Sequence, residues 1–363
     1  MRRRPRAGLL PLAAMLLGWQ PAFGVAMAAP AQVGLEVTAY TPSRLELGGN
    51  VYILVRGMLR NGGSFGLGQV TVDLMLWGAD PAVPLGHGIG QAFLERLAPG
   101  EESPFSVAVR HCCPEDARRY DFTLSGPEQR ERPYRSLEVR AVSSRQGTRG
   151  PERTGELFNA GNLSVNAPSL DLYAAYWRGS DLIDLRTANL PVLWSLGGPV
   201  GQALPPGIAY PFAVAEPAEP FDRVAYFING LPYPVGLYPV PLGLGGLDGR
   251  PDGTDLVWRG LLTNCGLAAV DGAIIILDWR EDGKVRGFAR WDLDLGSALP
   301  PGGGRWVSLR LSDGPPALLE PGAATFLPLA LAVQEQPPPA YVCAIAPQRL
   351  SLPLLVFPQE SLP

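Results

Sequence analysis

A chain of 363 residues is long enough for two or three domains, each burying its own core. Its 44 Gly and 39 Pro accompany 46% hydrophobic residues without any polar low-complexity tract, which excludes a disordered chain and favours a turn-rich all-β protein. The formal charge of −4, with Lys284 the sole Lys, argues against nucleic acid and anionic membrane as partners.

The chain opens MRRRPRAGLLPLAAMLLGWQPAFGVAMAAP. Four Arg precede an apolar stretch from Leu9 to Gly18, and small residues stand at Ala26 and Ala28. This pattern predicts a secretory signal peptide over residues 1–28, cut after Ala28, because the apolar stretch is too short for a membrane span. Its removal takes away four Arg and no acid, moving the formal charge from −4 to −8. No later segment is long enough to cross a bilayer, so the expected location is the periplasm, cell envelope or extracellular space.

An internal repeat organises the remainder of the chain. Gly57-Met-Leu-Arg-Asn61-Gly-Gly63, Gly155-Glu-Leu-Phe-Asn159-Ala-Gly161 and Gly260-Leu-Leu-Thr-Asn264-Cys-Gly266 share the pattern G-x-x-x-N-x-G. They lie 98 and 105 residues apart, the period of a small β-sandwich. Each is preceded by an opening strand, read at Leu35 to Ala39, Leu137 to Ala141 and from Val235 onward. Each is followed by an alternating strand that ends in Trp: Val72, Leu74 and Leu76 before Trp77, Leu170 and Leu172 before Trp177, Ile274 and Ile276 before Trp279.

A Pro-Gly turn with an aromatic comes next: Pro99-Gly100 with Phe105, and Pro206-Gly207 with Phe212. A Tyr strand then closes the unit at Tyr120 and Tyr226, where the hydroxyl of a tyrosine corner would bond upstream backbone. In the third copy two turns compete, Pro301-Gly302 with Trp306 and Pro321-Gly322 with Phe326. The Gly-to-Tyr interval to Tyr341 selects Gly322 and leaves an extra hairpin around Pro300 to Gly304.

The expectation is therefore three tandem immunoglobulin-like β-sandwich domains over residues 29–133, 134–232 and 233–363, joined end to end by short linkers. Asn and Gly suit turns, Pro-Gly makes a tight bend, and aromatics fill the space between sheets. All are residues of the fold.

This layout resembles the FxLYD and CARDB groups of bacterial exported immunoglobulin-like domains. There a G-x-x-x-N strand leads to an aromatic-x-Asp-x-x-Gly turn and then to L-x-P-G before a Phe strand. The third copy fits best, through Leu277-Asp278-Trp-Arg-Glu-Asp282-Gly283-Lys-Val285, whereas the first two lack the Asp-Gly turn. The resemblance implies surface-associated binding or spacer modules with no shared catalytic residues.

Candidate chemistry is sparse. Cys265 and Cys343 are disulfide candidates in an oxidising compartment, since Cys343 follows Tyr341 as Tyr-x-Cys, although Cys265 lies past Asn264 and its parity opposes Leu256, Trp258, Gly260 and Leu262. His111, Cys112 and Cys113 offer either a vicinal disulfide or a redox or soft-metal site, the second lacking another Cys or His pair to complete it. Asp248, Asp252 and Asp255 in a Gly-rich stretch are the ligand type calcium prefers, although Arg250 and Arg259 occupy places where an EF-hand needs oxygen. Gly62-Gly-Ser64-Phe-Gly66 matches G-x-S-x-G but runs into a strand rather than a helix, so it reads as a hairpin turn.

No cofactor is expected, calcium apart. The reading is a non-enzymatic exported protein of the cell envelope, for adhesion, assembly or scaffolding, with a protein or surface glycan as partner. The alternatives are a carbohydrate- or calcium-binding module using residues 243–255, and a redox or metal-handling role at His111 to Cys113.

Overall fold

The computed structural model describes residues 34–111, 113–130, 133–147, 150–191, 203–233, 236–320, 323–336 and 348–349. The predicted signal segment, Cys112, Val235, Pro321, Gly322, Tyr341 and Cys343 lie outside them. The fold is all-β, with several antiparallel sheets and only short 3-10 turns between strands.

One arrangement of six main strands occurs three times. In the first unit the strands are β1 (Leu35–Leu47), β2 (Asn50–Asn61), β3 (Thr71–Trp77), β4 (Pro84–Ala92), β5 (Glu102–Val109) and β6 (Arg119–Ser125). The second unit has β7 (Leu137–Gly147), β8 (Gly150–Asn159), β9 (Asp171–Arg178), β10 (Asp181–Thr187), β11 (Ala209–Ala215) and β12 (Arg223–Asn229). The third has β13 (Leu242–Asp252), β14 (Asp255–Asn264), β15 (Val270–Glu281), β16 (Lys284–Leu299), β17 (Gly304–Leu311) and β18 (Ala324–Ala330).

In each unit the second strand pairs with the first and fifth, and the third pairs with the fourth and sixth. In the first unit Gln91 and Ala92 also pair with Ser106 and Phe105, which joins both sets into one six-stranded sheet.

The inward faces follow a period of two, as half-buried strands require. Val72, Leu74 and Leu76 of β3 are buried with Val55, Phe105 and Val107. An aromatic pair spans the core of every unit with its rings edge to face, the arrangement favoured by the ring quadrupole. The centroids are 5.9 Å apart for Phe105 and Phe122, 5.9 Å for Phe212 and Tyr226, and 5.5 Å for Trp258 and Phe326.

Several sequence expectations are corrected. The opening strand of the third unit is β13 from Leu242, because Leu242 pairs with Asn264 as Leu35 pairs with Asn61 and Leu137 with Asn159. Pro301-Gly302 is no extra hairpin. It leads into β17, which pairs with β14 as β5 does with β2.

Phe326 lies on β18, the counterpart of β6 and β12, and not on a counterpart of β5 and β11, which in the third unit is β17. Tyr120 and Tyr226 are not in matching places either, since the core partner of Phe105 is Phe122. The Tyr226 hydroxyl faces the Arg153 side chain and bonds no backbone group among the described residues, so it forms no tyrosine corner.

The units do not hang on linkers alone, for the described residues group as one compact body. Met58 of the first unit is buried with Ala175, Trp177, Leu182 and Leu185 of the second. Between the second and third units, Ile274, Ile276, Leu327 and Leu329 join the core around Tyr176 and Phe212. The run Ala-Ile-Ile-Ile-Leu in β15 is thereby explained. Ile275 and Leu277 face their own core, while Ile274 and Ile276, read as core positions from the alternation, face the neighbouring unit.

Candidate functional site

The recurrent Asn comes first. Asn61, Asn159 and Asn264 are buried to 1%, 0% and 0% exposure, where an unpaired amide would be costly. Each side chain is fully engaged in the same bracket. The Asn61 amide nitrogen donates to the carbonyls of Phe65 (2.8 Å) and Leu97 (3.1 Å), and its oxygen accepts from the Gly63 N–H at 3.1 Å. Asn159 does so with Leu163, Leu204 and Gly161, and Asn264 with Ala268, Leu299 and Gly266.

The backbone adds a second clasp, for Gly100, Gly207 and Gly302 donate their N–H to the carbonyls of Asn61, Asn159 and Asn264. These three glycines have φ of +78°, +75° and +72°, a conformation that favours glycine. The first Gly of the motif answers another need. A side chain at Gly57 or Gly155 would strike the rings of Phe105 or Phe212, and the facing strand bulges at that level. The motif is a fold device, as its composition suggested.

The calcium candidates are only partly brought together. β13 and β14 form a hairpin in which Asp252 pairs with Asp255 across Gly253 and Thr254. Both carboxylates are taken by Arg310 of β17, which lies 2.7 Å from Asp255 and also bonds Asp252. That guanidinium holds the Asp255 carboxyl below its ordinary value. Asp248 stands further along β13 opposite Arg259, outside this cluster. Among the described residues no group of three or more His, Cys, Asp or Glu is placed to hold a metal ion.

His111 sits 3.1 Å from Asp116, and His87 lies 2.8 Å from Asp73 on the neighbouring strand. Neither Cys113 nor Cys265 is a free thiol, and Cys265 is buried beside Pro241. Their expected partners Cys112 and Cys343 lie outside the described residues. The G-x-S-x-G match lies in the loop after β2 that the Asn61 bracket closes.

What the sequence reading missed lies on the outer face of the sheet β13-β14-β17. Leu261 pairs with Gly245 on one side and Trp306 on the other, so all three positions share a face. Trp306 is 68% exposed, the most of any large apolar side chain among the described residues. A side-chain carbon at Gly246 would stand 3.9 Å from its ring, so the ring reaches over the bulge of β13.

The next row along the sheet holds Asp248, Arg259 and Ser308, and the one after it Arg250, Val257 and Arg310. Trp306 alternates with the inward-facing Val307 and Leu309, and that signal was present in the sequence. Assigning Phe326 to its strand hid it.

Acidic groups also mark the junctions between units. Asp184 is buried between Arg56 of the first unit (2.8 Å) and Arg186 of its own (2.6 Å). Asp171 has its carboxyl pushed up to about 6, chiefly by burial and then by the nearby charge of Glu95 from the first unit. Arg280 of the third unit bonds Glu156 of the second together with Asp278.

No helix among the described residues is long and apolar enough to cross a membrane. The chain matches no family model, no curated protein and no solved structure.

Proposed function

We propose that the protein is an exported, non-enzymatic interaction protein of the cell envelope or its surroundings, built from three immunoglobulin-like sandwiches of the FxLYD or CARDB kind. The observation that carries this reading is the contrast between the inside and outside of the repeats. The recurrent polar residues are spent on internal brackets, whereas a large aromatic, Trp306, is held out on a regular sheet face.

The arginine-led apolar start of the chain supports export, and the acidic balance supports a partner other than nucleic acid. Burial between adjacent units supports a stiff body that holds its faces in fixed relation. The same reading pairs Cys265 with Cys343, which a non-reducing peptide map checks by finding or failing to find that linked pair.

Export is tested by fractionating the producing cells and sequencing the N-terminus of the recovered protein. The expected result is a chain that begins at Ala29 in an envelope or secreted fraction. A chain retaining Met1 in the cytosol would overturn the reading.

A further inference from the structure

We infer that the outer face of the sheet β13-β14-β17 binds an acidic polysaccharide, with Trp306 as the stacking platform and Arg259 as the group that reads a sugar carboxylate. The inference rests on the exported-interaction reading and gives it a surface and a ligand class.

The aromatic is available where the other described tryptophans of the chain are committed. Arg119 lies over Trp77 at 4.8 Å and Arg223 over Trp177 at 4.7 Å. Trp258 is buried, Trp291 donates its N–H to the Arg310 carbonyl at 2.8 Å, and Trp279 packs against Gly287. Among the described residues no cation lies over Trp306.

Its surroundings are low. Gly243, Gly245 and Gly246 form the adjoining part of β13, so no side chain of that segment rises beside the ring. A flat ligand with one apolar face, such as a pyranose ring, fits a flat aromatic bordered by glycine. A protein partner of ordinary affinity needs a contiguous apolar core within an interface of roughly 1,200–2,000 Å², and a single aromatic among glycines and charges does not supply one.

Charge favours an acidic sugar. Arg310 is shared by Asp252 and Asp255 at the far end of this face, one cation between two carboxylates. Arg259, Arg250 and Asp248 make no ion pair among the described residues. The face as a whole balances Arg against Asp, but the rows nearest Trp306 hold the unpaired guanidiniums of Arg259 and Arg250 against the single carboxylate of Asp248. Arg259 lies two residues along β14 from Leu261, ~7 Å from the Trp306 row at ordinary strand rise. That places a planar fork suited to a carboxylate beside the ring that stacks.

The test is affinity electrophoresis of the full mature chain through gels containing sodium alginate, a polyuronate, or neutral dextran, with EDTA present throughout. Alginate is expected to retard the protein, and rising salt to weaken that retardation. Trp306→Ala and Arg259→Ala are each expected to raise the apparent Kd at least tenfold with an unchanged melting curve, because both side chains are exposed.

No retardation by alginate, or unaltered retardation of Trp306→Ala, would overturn the site. Equal retardation by dextran that Arg259→Ala leaves intact would overturn the acidic-sugar assignment. A chain found in the envelope yet not retarded would defeat this inference while leaving the exported-interaction reading in place.

Discussion

The side-chain amide of Asn264 donates to the carbonyl of Leu299 at 2.8 Å, the same bond that Asn159 makes with Leu204 and Asn61 with Leu97. It ties the end of the second strand in each unit to the residue that starts the Pro-Gly turn. Three unlike stretches of chain are thereby closed by one piece of polar chemistry.

Replacing Asn264 by Ala removes three hydrogen bonds and strands the buried carbonyl of Leu299. The expected loss is ~2–4 kcal/mol, the cost of unsatisfied buried groups. Asn61→Ala and Asn159→Ala should lose similar amounts, since their brackets are alike. Urea unfolding checks this, and a change under ~0.5 kcal/mol in all three, the size of an ordinary surface substitution, would remove the bracket as a source of stability.

Arg280→Ala acts at the junction of the second and third units. It leaves the largely buried carboxylates of Glu156 and Asp278 facing each other without their shared cation. Since Arg280 itself is exposed, the cost expected for a buried pair is reduced by solvent screening to ~1–2 kcal/mol. Burial already holds the Asp278 carboxyl above its ordinary value, and Arg280 opposes that rise. Without the guanidinium the Asp278 carboxyl takes up its proton more readily folded than unfolded. The penalty is therefore expected to be larger at pH 8 than at pH 5 in thermal melts. A penalty that does not vary with pH would show that charge at this junction is not what the arginine balances.

Asp171→Asn tests the other junction. The Asp171 carboxyl is raised from 3.8 to about 6, first by burial and then by Glu95. A raised acid binds its proton more tightly folded than unfolded, so the ionised form destabilises as pH climbs through 6. The variant is expected to be more stable than the parent at pH 8 by ~1 kcal/mol, a shift-derived figure reduced for solvent screening. The gap should close below pH 4. Parallel melting curves across this range would contradict the assignment.

How much of this was legible in the sequence differs from residue to residue. The all-β class and the threefold repeat were readable, because G-x-x-x-N-x-G is demanded locally: Gly by a bulge and an adjoining ring, Asn by three bonds to backbone close at hand. The third unit was misread because it contains two L-x-P-G turns, at Leu299 and Leu319. Spacing to Tyr341 chose the later one. The interval from Asn to the turn Leu, which is 36, 45 and 35 residues in the three units, selects the earlier, and it matters because the two are bonded.

The sequence by itself determined the strand class, the period of the repeat and the turn chemistry, since these rest on residues near one another in the chain. Tertiary structure alone decided that Ile274 and Ile276 face a neighbouring unit, that Arg310 occupies Asp252 and Asp255, and that Trp306 stands exposed on a face. A period of two says which residues share a side of a strand. It does not say what lies against that side, because the partner comes from residues far away in the chain.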